Sequence, residues 1–320
     1  MARTVWLIRF LLPMKSLTRR EFSKLTLAAI AGASALPCFA AAPKPNSKVR
    51  GVQLGLNVPY SFSDPSMSGE DILKNCVQLD VSALELRTQP VEVFLGAPKE
   101  IIFANSRSSA QTKELANWRK SVHVSKAARF RKMFEYAGVS IQIVKVDGVF
   151  KMTDAELDYA FTLAKALGGR VISTEISHKA EELKRVGQFA DKHRLMVGYH
   201  GHASTKPEDW ELAFSLANFN GANVDLGHFV AGNNTSPAPF IEKYHDRITH
   251  VHLKDRKLHN GPNMPFGQGD TPIADVLRLI RDNKWPIQGT VEFEYPIPTG
   301  SDRMTEIARA LKFCRDALTA

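Results

Sequence analysis

The spacing of hydrophobic runs constrains this chain most. From residue 48 onward, short apolar runs of strand type alternate with amphipathic helical windows. Strands are expected at Val49–Val58, Ala83–Arg87, Val139–Val146, Arg170–Ile176, Leu195–His202, Ala222–Leu226, Ile248–Lys254 and Gln288–Tyr295. Helices are expected near residues 69–79, 110–137, 153–167, 179–193, 207–217, 237–245, 272–283 and 302–318. Thr153-Asp154-Ala155-Glu156 opens one helix in capping-box style, while Gly138 and Gly168-Gly169 close two others. Short apolar strands, each followed by a helix, imply a parallel sheet buried on both faces. Eight such units over about 270 residues predict an α/β fold, a single-domain (β/α)8 barrel over residues 48–320. No Gly-rich phosphate loop follows the first strand, where Val52-Gln53-Leu54-Gly55-Leu56-Asn57 lacks GxGxxG, so a dinucleotide-binding sheet is disfavoured. The longest irregular stretch, Thr88–Ser109, is expected to form a lid or binding loop.

The segment before the barrel reads as an address. Thr18-Arg19-Arg20-Glu21-Phe22-Ser23-Lys24, an apolar run from Leu25 to Leu36 and a small-x-small site ending at Ala40 make residues 1–40 a twin-arginine export signal. Residues 41–47 then form a short linker, and the expected location is the periplasm or beyond. The formal charge of +9 shrinks once this segment is set aside. Arg3, Arg9, Lys15, Arg19, Arg20 and Lys24 against Glu21 supply +5, leaving +4 without a basic run, so a nucleic-acid partner is not expected. No apolar stretch of about 18 residues follows residue 50, so no stable membrane insertion is expected after signal cleavage. Self-association as a homo-oligomer stays open. Cys76 and Cys314 sit on the apolar faces of the first and last helices; they read as buried thiols, with a periplasmic disulfide as the alternative.

In a barrel the active site lies where strands end. Five consecutive strands end in Ser173-Thr174-Glu175, Tyr199-His200-Gly201-His202, Asp225-Leu226-Gly227-His228, His250-Val251-His252-Leu253-Lys254-Asp255 and Glu292-Phe293-Glu294. The strand period of two places His200 with His202, His250 with His252, and Glu292 with Glu294 on shared faces. Burying that many ionisable groups without partners is prohibitive, and a bound cation resolves the cost.

These segments, with Gly267-Gln268-Gly269 and Gly289-Thr290-Val291-Glu292-Phe293-Glu294, resemble the xylose-isomerase-like TIM-barrel superfamily. The resemblance spans residues 50–318 and is strongest after residue 170. It implies a (β/α)8 TIM barrel with one divalent ion held by strands five to eight. Carried over, Asp225 matches the Asp of D-x-x-H, His252 the His of H-x-x-D, and Glu294 the Glu five residues after Gly289. His200 stands where many members have Glu, with Glu175 as the alternative fourth ligand. Two imidazoles and two carboxylates suit Mn, Fe, Co or Zn in the divalent state.

The implied chemistry is metal-dependent sugar isomerisation or epimerisation through an enediolate at a carbon beside a carbonyl. Glu175 and Glu294 are the expected bases, His202 and His228 the acid or hydroxyl-binding groups, and Lys254 and Arg256 the substrate-orienting cations. A lyase or dehydratase acting on keto-sugars or keto-glycosides is the alternative, and a non-catalytic exported sugar-binding barrel is a further one. The substrate is expected to be a small-molecule carbohydrate. An endonuclease IV-like phosphodiesterase is disfavoured, because the second and third strands lack His and the segment after strand seven reads Pro265-Phe266-Gly267-Gln268-Gly269-Asp270 in place of D-x-H.

Overall fold

The computed structural model describes residues 44–320, which form one compact unit; the expected export signal lies outside them. Eight parallel strands close a barrel: β1 (Val52–Val58), β2 (Ala83–Arg87), β3 (Ser140–Lys145), β4 (Val171–Glu175), β5 (Met196–His200), β6 (Asn220–Asp225), β7 (Ile248–Leu253) and β8 (Gln288–Val291). Each pairs with the next, and β8 closes on β1 with Gly289, Thr290 and Val291 opposite Leu54, Gly55 and Leu56. The fold is therefore the expected (β/α)8 TIM barrel. No helix among the described residues is long and apolar enough to cross a membrane.

Several elements differ from their sequence expectation, each for a local reason. The window 110–137 is two helices, Ser109–Ser121 and Ala127–Tyr136, because Val122 and His123 take extended backbone between them. The stretch that read as irregular, expected as a lid or binding loop, contains the short helices Thr88–Phe94 and Lys99–Ile102. Ala97, Ile101, Ile102 and Leu115 bury one another there as a small separate core against Trp118. Directly after β6 a helix runs from Leu226 to Asn233, where the sequence showed no separate element. Asp225 ends the strand and caps this helix at once, its Oδ1 accepting from the His228 backbone N–H at 2.8 Å. The strand-to-helix switch passes so close to the chain after β7 that a Cβ on Gly227 would lie 2.7 Å from the Lys254 carbonyl oxygen. Cys76 and Cys314 are buried free thiols rather than a disulfide, and burial pushes both thiols up in pKa.

The loop after β7 is held by one buried side chain. Asp255 Oδ2 accepts from the backbone N–H groups of Gly267 at 2.8 Å and Gly269 at 2.9 Å, and Oδ1 from that of Thr271 at 3.2 Å. Gly269 has no room for a side chain, since a Cβ would stand 1.9 Å from Asp255 Oδ1. Asp255→Asn turns one acceptor into a donor facing N–H groups. It should cost roughly 2–3 kcal/mol, read as a lower melting temperature; an unchanged melting temperature would show that the loop holds itself.

Candidate metal centre

The strand register brings the polar strand ends together. Glu175 on β4 lies opposite His200 on β5, and Asp225 on β6 lies opposite His252 on β7. The next strand ends at Val291, so Glu292 is the first residue beyond it and takes the last inward position. His200, Asp225, His252 and Glu292 are all buried, and one ligand-type atom from each lies within 4.8 Å of the others. Those atoms are His200 Nε2, Asp225 Oδ2, His252 Nδ1 and Glu292 Oε2. Among the described residues none of the four makes a hydrogen bond of good geometry, and the Lys254 ammonium lies at ion-pair distance from the two carboxylate oxygens.

The opposite atom of each group is engaged. His200 Nδ1 meets Glu175 Oε2 at 3.1 Å, and His252 Nε2 meets Glu85 Oε2 at 2.5 Å. Asp225 Oδ1 caps its helix at 2.8 Å, and Glu292 Oε1 accepts from Asn57 Nδ2 at 2.8 Å. Ring-and-carboxylate pairs of this kind fix which nitrogen is left for an ion. The imidazole of His252 is the most strongly perturbed: burial works to lower its pKa, but Glu85 and Glu292 push it up to about 10. Burial works to raise Glu85, yet His252 and His250 hold it well below the carboxylate range.

Lys254 is 2% exposed, with Nζ 3.1 Å from Asp225 Oδ2, 2.7 Å from Glu292 Oε2 and 2.7 Å from Glu294 Oε2. Three carboxylates against one ammonium leave two negative charges, which a single divalent cation would cancel. Four converging ligand-type atoms, an N2O2 set and that residual charge fit a divalent ion of the Mn, Fe, Co or Zn type. His200, Asp225, His252 and Glu292 could hold it.

The remaining expected site residues divide into two groups. Glu294, expected as a ligand, is not among the four clustered residues: Tyr60 Oη donates to its Oε1 at 2.5 Å, and its Oε2 meets Lys254 Nζ at 2.7 Å and accepts from Asn263 Nδ2 at 3.3 Å. Period two puts Glu292 and Glu294 on one face, but the strand stops between them and Glu294 sits one step higher at the rim. Glu175 is not in the four-residue cluster either. Its Oε1 takes the Lys145 ammonium at 2.5 Å, and its Oε2 takes His200 and, at 2.7 Å, His202 Nε2. Burial works to raise Glu175, but these partners hold it far below its ordinary value. The hydrogen bond to Glu175 raises His202, whose side chain is 55% exposed at the mouth. His228 is lowered to about 4, chiefly by burial, and stays neutral. Arg256 Nη1 donates to His228 Nδ1 at 2.7 Å and its other nitrogens to the Gly261 carbonyl, so Arg256 positions His228 from behind.

Three functional residues escaped the sequence reading: Glu85, Asn57 and Lys145, all buried. Each lies in a short strand that also holds other polar residues, so it does not stand out. Glu85 alternates inward with Ala83 and Arg87, and that alternation was the available signal.

Residues 83–317 match the family described as xylose isomerase-like TIM barrel. The chain belongs to that family. It is 27% identical over 126 residues to inosose dehydratase of Clostridium beijerinckii, covering 37% of this chain and 36% of that one. It is 25% identical over 159 residues to inosose dehydratase of Clostridium tetani, covering 43% and 53%. The chain thus spans about a third to a half of the length of the curated relatives it matches. Among solved structures it superposes on D-psicose 3-epimerase with a TM-score of 0.57 at 14% identity, over 84% of this chain and 100% of that one. With the probable 3-DHS dehydratase of Bacillus anthracis the TM-score is 0.58 at 12% identity, over 82% and 98%. At these identities the structural likeness establishes the fold.

If Glu292 belongs to the ion-holding set and Glu294 does not, Glu292→Gln should lower the affinity for Mn2+ or Co2+ by at least about tenfold, while Glu294→Gln keeps it. Metal titration of both variants checks this. Glu85→Gln, which removes the anion behind His252, should weaken affinity by roughly 10–100-fold without touching an ion-facing atom.

Proposed function

We propose that the chain is a divalent-metal-dependent enzyme of carbohydrate chemistry that moves a proton at a carbon beside a carbonyl, as an isomerase or epimerase. The observation carrying this reading is the convergence of four buried ligand-type atoms, from His200, Asp225, His252 and Glu292, against which only the single Lys254 ammonium is set. When bound, the ion would supply Lewis-acid polarisation of a carbonyl and so acidify the adjoining C–H.

The chain's own residues supply the rest. Glu294 is the proposed base, because it alone of the three mouth carboxylates also lines the cavity beside the cluster. Tyr60 Oη on Oε1 and Lys254 Nζ on Oε2 hold it in one orientation. Glu175, with both oxygens engaged, aims His200 and His202 and is a positioning residue in this reading. His202 is the proposed proton donor, since its bond to Glu175 favours the charged ring. Neutral His228, held by Arg256, is the proposed hydroxyl-binding group. Lys254 fixes three carboxylates relative to one another.

Expulsion of a substituent next to the carbanion-forming carbon would make the same machinery a lyase or dehydratase. The sequence relatives, named inosose dehydratase, favour keeping this second reading. The twin-arginine motif of residues 18–24 supports action outside the inner membrane, on a free or oxidised sugar rather than a sugar phosphate.

The test is solvent-proton exchange. Protein purified without chelator and supplied with Mn2+ or Co2+ is incubated with keto-sugars in deuterated buffer, and C–H loss is followed by NMR. Wild type should exchange, and Glu294→Gln should slow exchange by about 100-fold or more while retaining metal. No exchange with any keto-sugar, alongside full metal loading, would remove the isomerase and epimerase reading. No bound metal would remove metal dependence itself.

A further inference from the structure

A cavity of about 510 Å3 opens beside the cluster, between the ends of β1, β2 and β8, and its lining includes Tyr60, Arg87, Gln89, Phe293, Glu294 and Arg303. It meets the cluster at Glu294, whose Oε2 lies 2.7 Å from Lys254 Nζ. Two arginine–aromatic stacks form its walls: the Arg87 guanidinium lies 5.0 Å from the Tyr60 ring centre and that of Arg303 lies 4.9 Å from the Phe293 ring centre. Stacking fixes the planes of both guanidinium groups and leaves their N–H edges for ligands.

The charges around this cavity do not balance internally. Arg87 Nη1 is spent on Asp147 at 2.6 Å, while its buried Nε has no partner among the described residues. Glu294 lies on the cluster side of the cavity and shares the Lys254 ammonium with Asp225 and Glu292. Asp64 is exposed, and its Oδ1 accepts from both the backbone N–H and the hydroxyl of Ser66. Arg303 makes one hydrogen bond, from Nη1 to the Ser61 carbonyl at 3.2 Å, and no carboxylate pairs with it among the described residues. A half-buried, stacked guanidinium with open N–H edges matches a carboxylate bidentately, and a neutral hydroxyl would leave its charge unanswered.

Resting on the proposed function, we infer that this cavity is a second subsite, taking a carboxylate-bearing sugar unit of a substrate whose reacting carbons lie at the cluster. The substrate class is then an acidic sugar or an acidic glycoside, with Arg303 its specificity-determining residue and Arg87 a secondary donor. The cavity has room beyond the cluster for the part of the molecule that does not react.

Binding of D-glucuronate and D-glucose to the full chain, measured by calorimetry before and after chelator treatment, tests this inference. The chelator arm removes any carboxylate binding to an ion. Glucuronate should bind at least about tenfold more tightly than glucose in both arms. Arg303→Gln should erase that preference and leave glucose unchanged, and Arg303→Lys should keep part of it. Both changes lie at a partly exposed helix start, so matched melting curves verify folding. Equal affinities, no glucuronate binding, or a preference that survives Arg303→Gln would overturn the subsite. Metal content of the same sample separates the two readings. A loaded centre without the preference removes the subsite alone, whereas the preference without metal sustains the subsite and removes the metal-dependent enzyme.

Discussion

Closing eight parallel strands into a barrel sends their last inward side chains toward one axis, and in this chain those side chains are ionisable. Glu85, His200, Asp225, His250, His252 and Glu292 are all buried around that axis. Taking single charges out of water costs several kcal/mol each unless partners answer them. The arrangement of the upper barrel follows from meeting that cost in pairs: Glu85 with His252, Glu175 with Lys145 and His200, Glu292 with Asn57 and Lys254. For His200, Asp225, His252 and Glu292 the outer atom is hydrogen-bonded, whereas on the inner side one ammonium, that of Lys254, meets the two carboxylates. One positive charge against that convergence of ligand-type atoms is why the inner side speaks for an ion.

The same pairs determine orientation. An imidazole offers either nitrogen, and the choice is made by what binds the other one. Glu175 takes Nδ1 of His200 and leaves Nε2 inward; Glu85 takes Nε2 of His252 and leaves Nδ1 inward. Two rings from strands on either side of β6 thus present opposite nitrogens to one point. The helix from Leu226 does for Asp225 what the carboxylates do for the rings, tying Oδ1 to a backbone N–H and freeing Oδ2.

Much of this was legible in the sequence, because strand ends are where a barrel concentrates polarity. The apolar runs marked all eight strands, and the density of His, Asp and Glu from Glu175 to Glu294 marked the mouth. The unread part has physical causes. Glu292 and Glu294 share a face under period two, so only the point at which β8 stops, at Val291, separates them. Glu85 and Lys145 lie in short strands, and their partners are far away in sequence: 167 residues separate Glu85 from His252 and 30 separate Lys145 from Glu175. The helix Leu226–Asn233 carries no turn residues before it, because Asp225 serves as strand end and cap together. The stretch 88–109 read as irregular because its helices are only seven and four residues long, below the span over which periodicity shows.

The cluster and the cavity draw on different parts of the chain. The ion-facing groups come from β5 to β8, whereas the cavity walls come from the segments after β1 and β2, the residues beyond β8 and the start of the last helix. Glu294 and Tyr60 are the joint between them. Changes at Arg303 or Phe293 can therefore alter what is bound while leaving in place the pairs that aim His200 and His252, which Glu175 and Glu85 supply from other strands. Lys254 makes that joint workable. Without its ammonium, Asp225, Glu292 and Glu294 would repel one another across a buried space. One lysine thus holds a carboxylate ready at the border between the place where a substrate is recognised and the place where it would react.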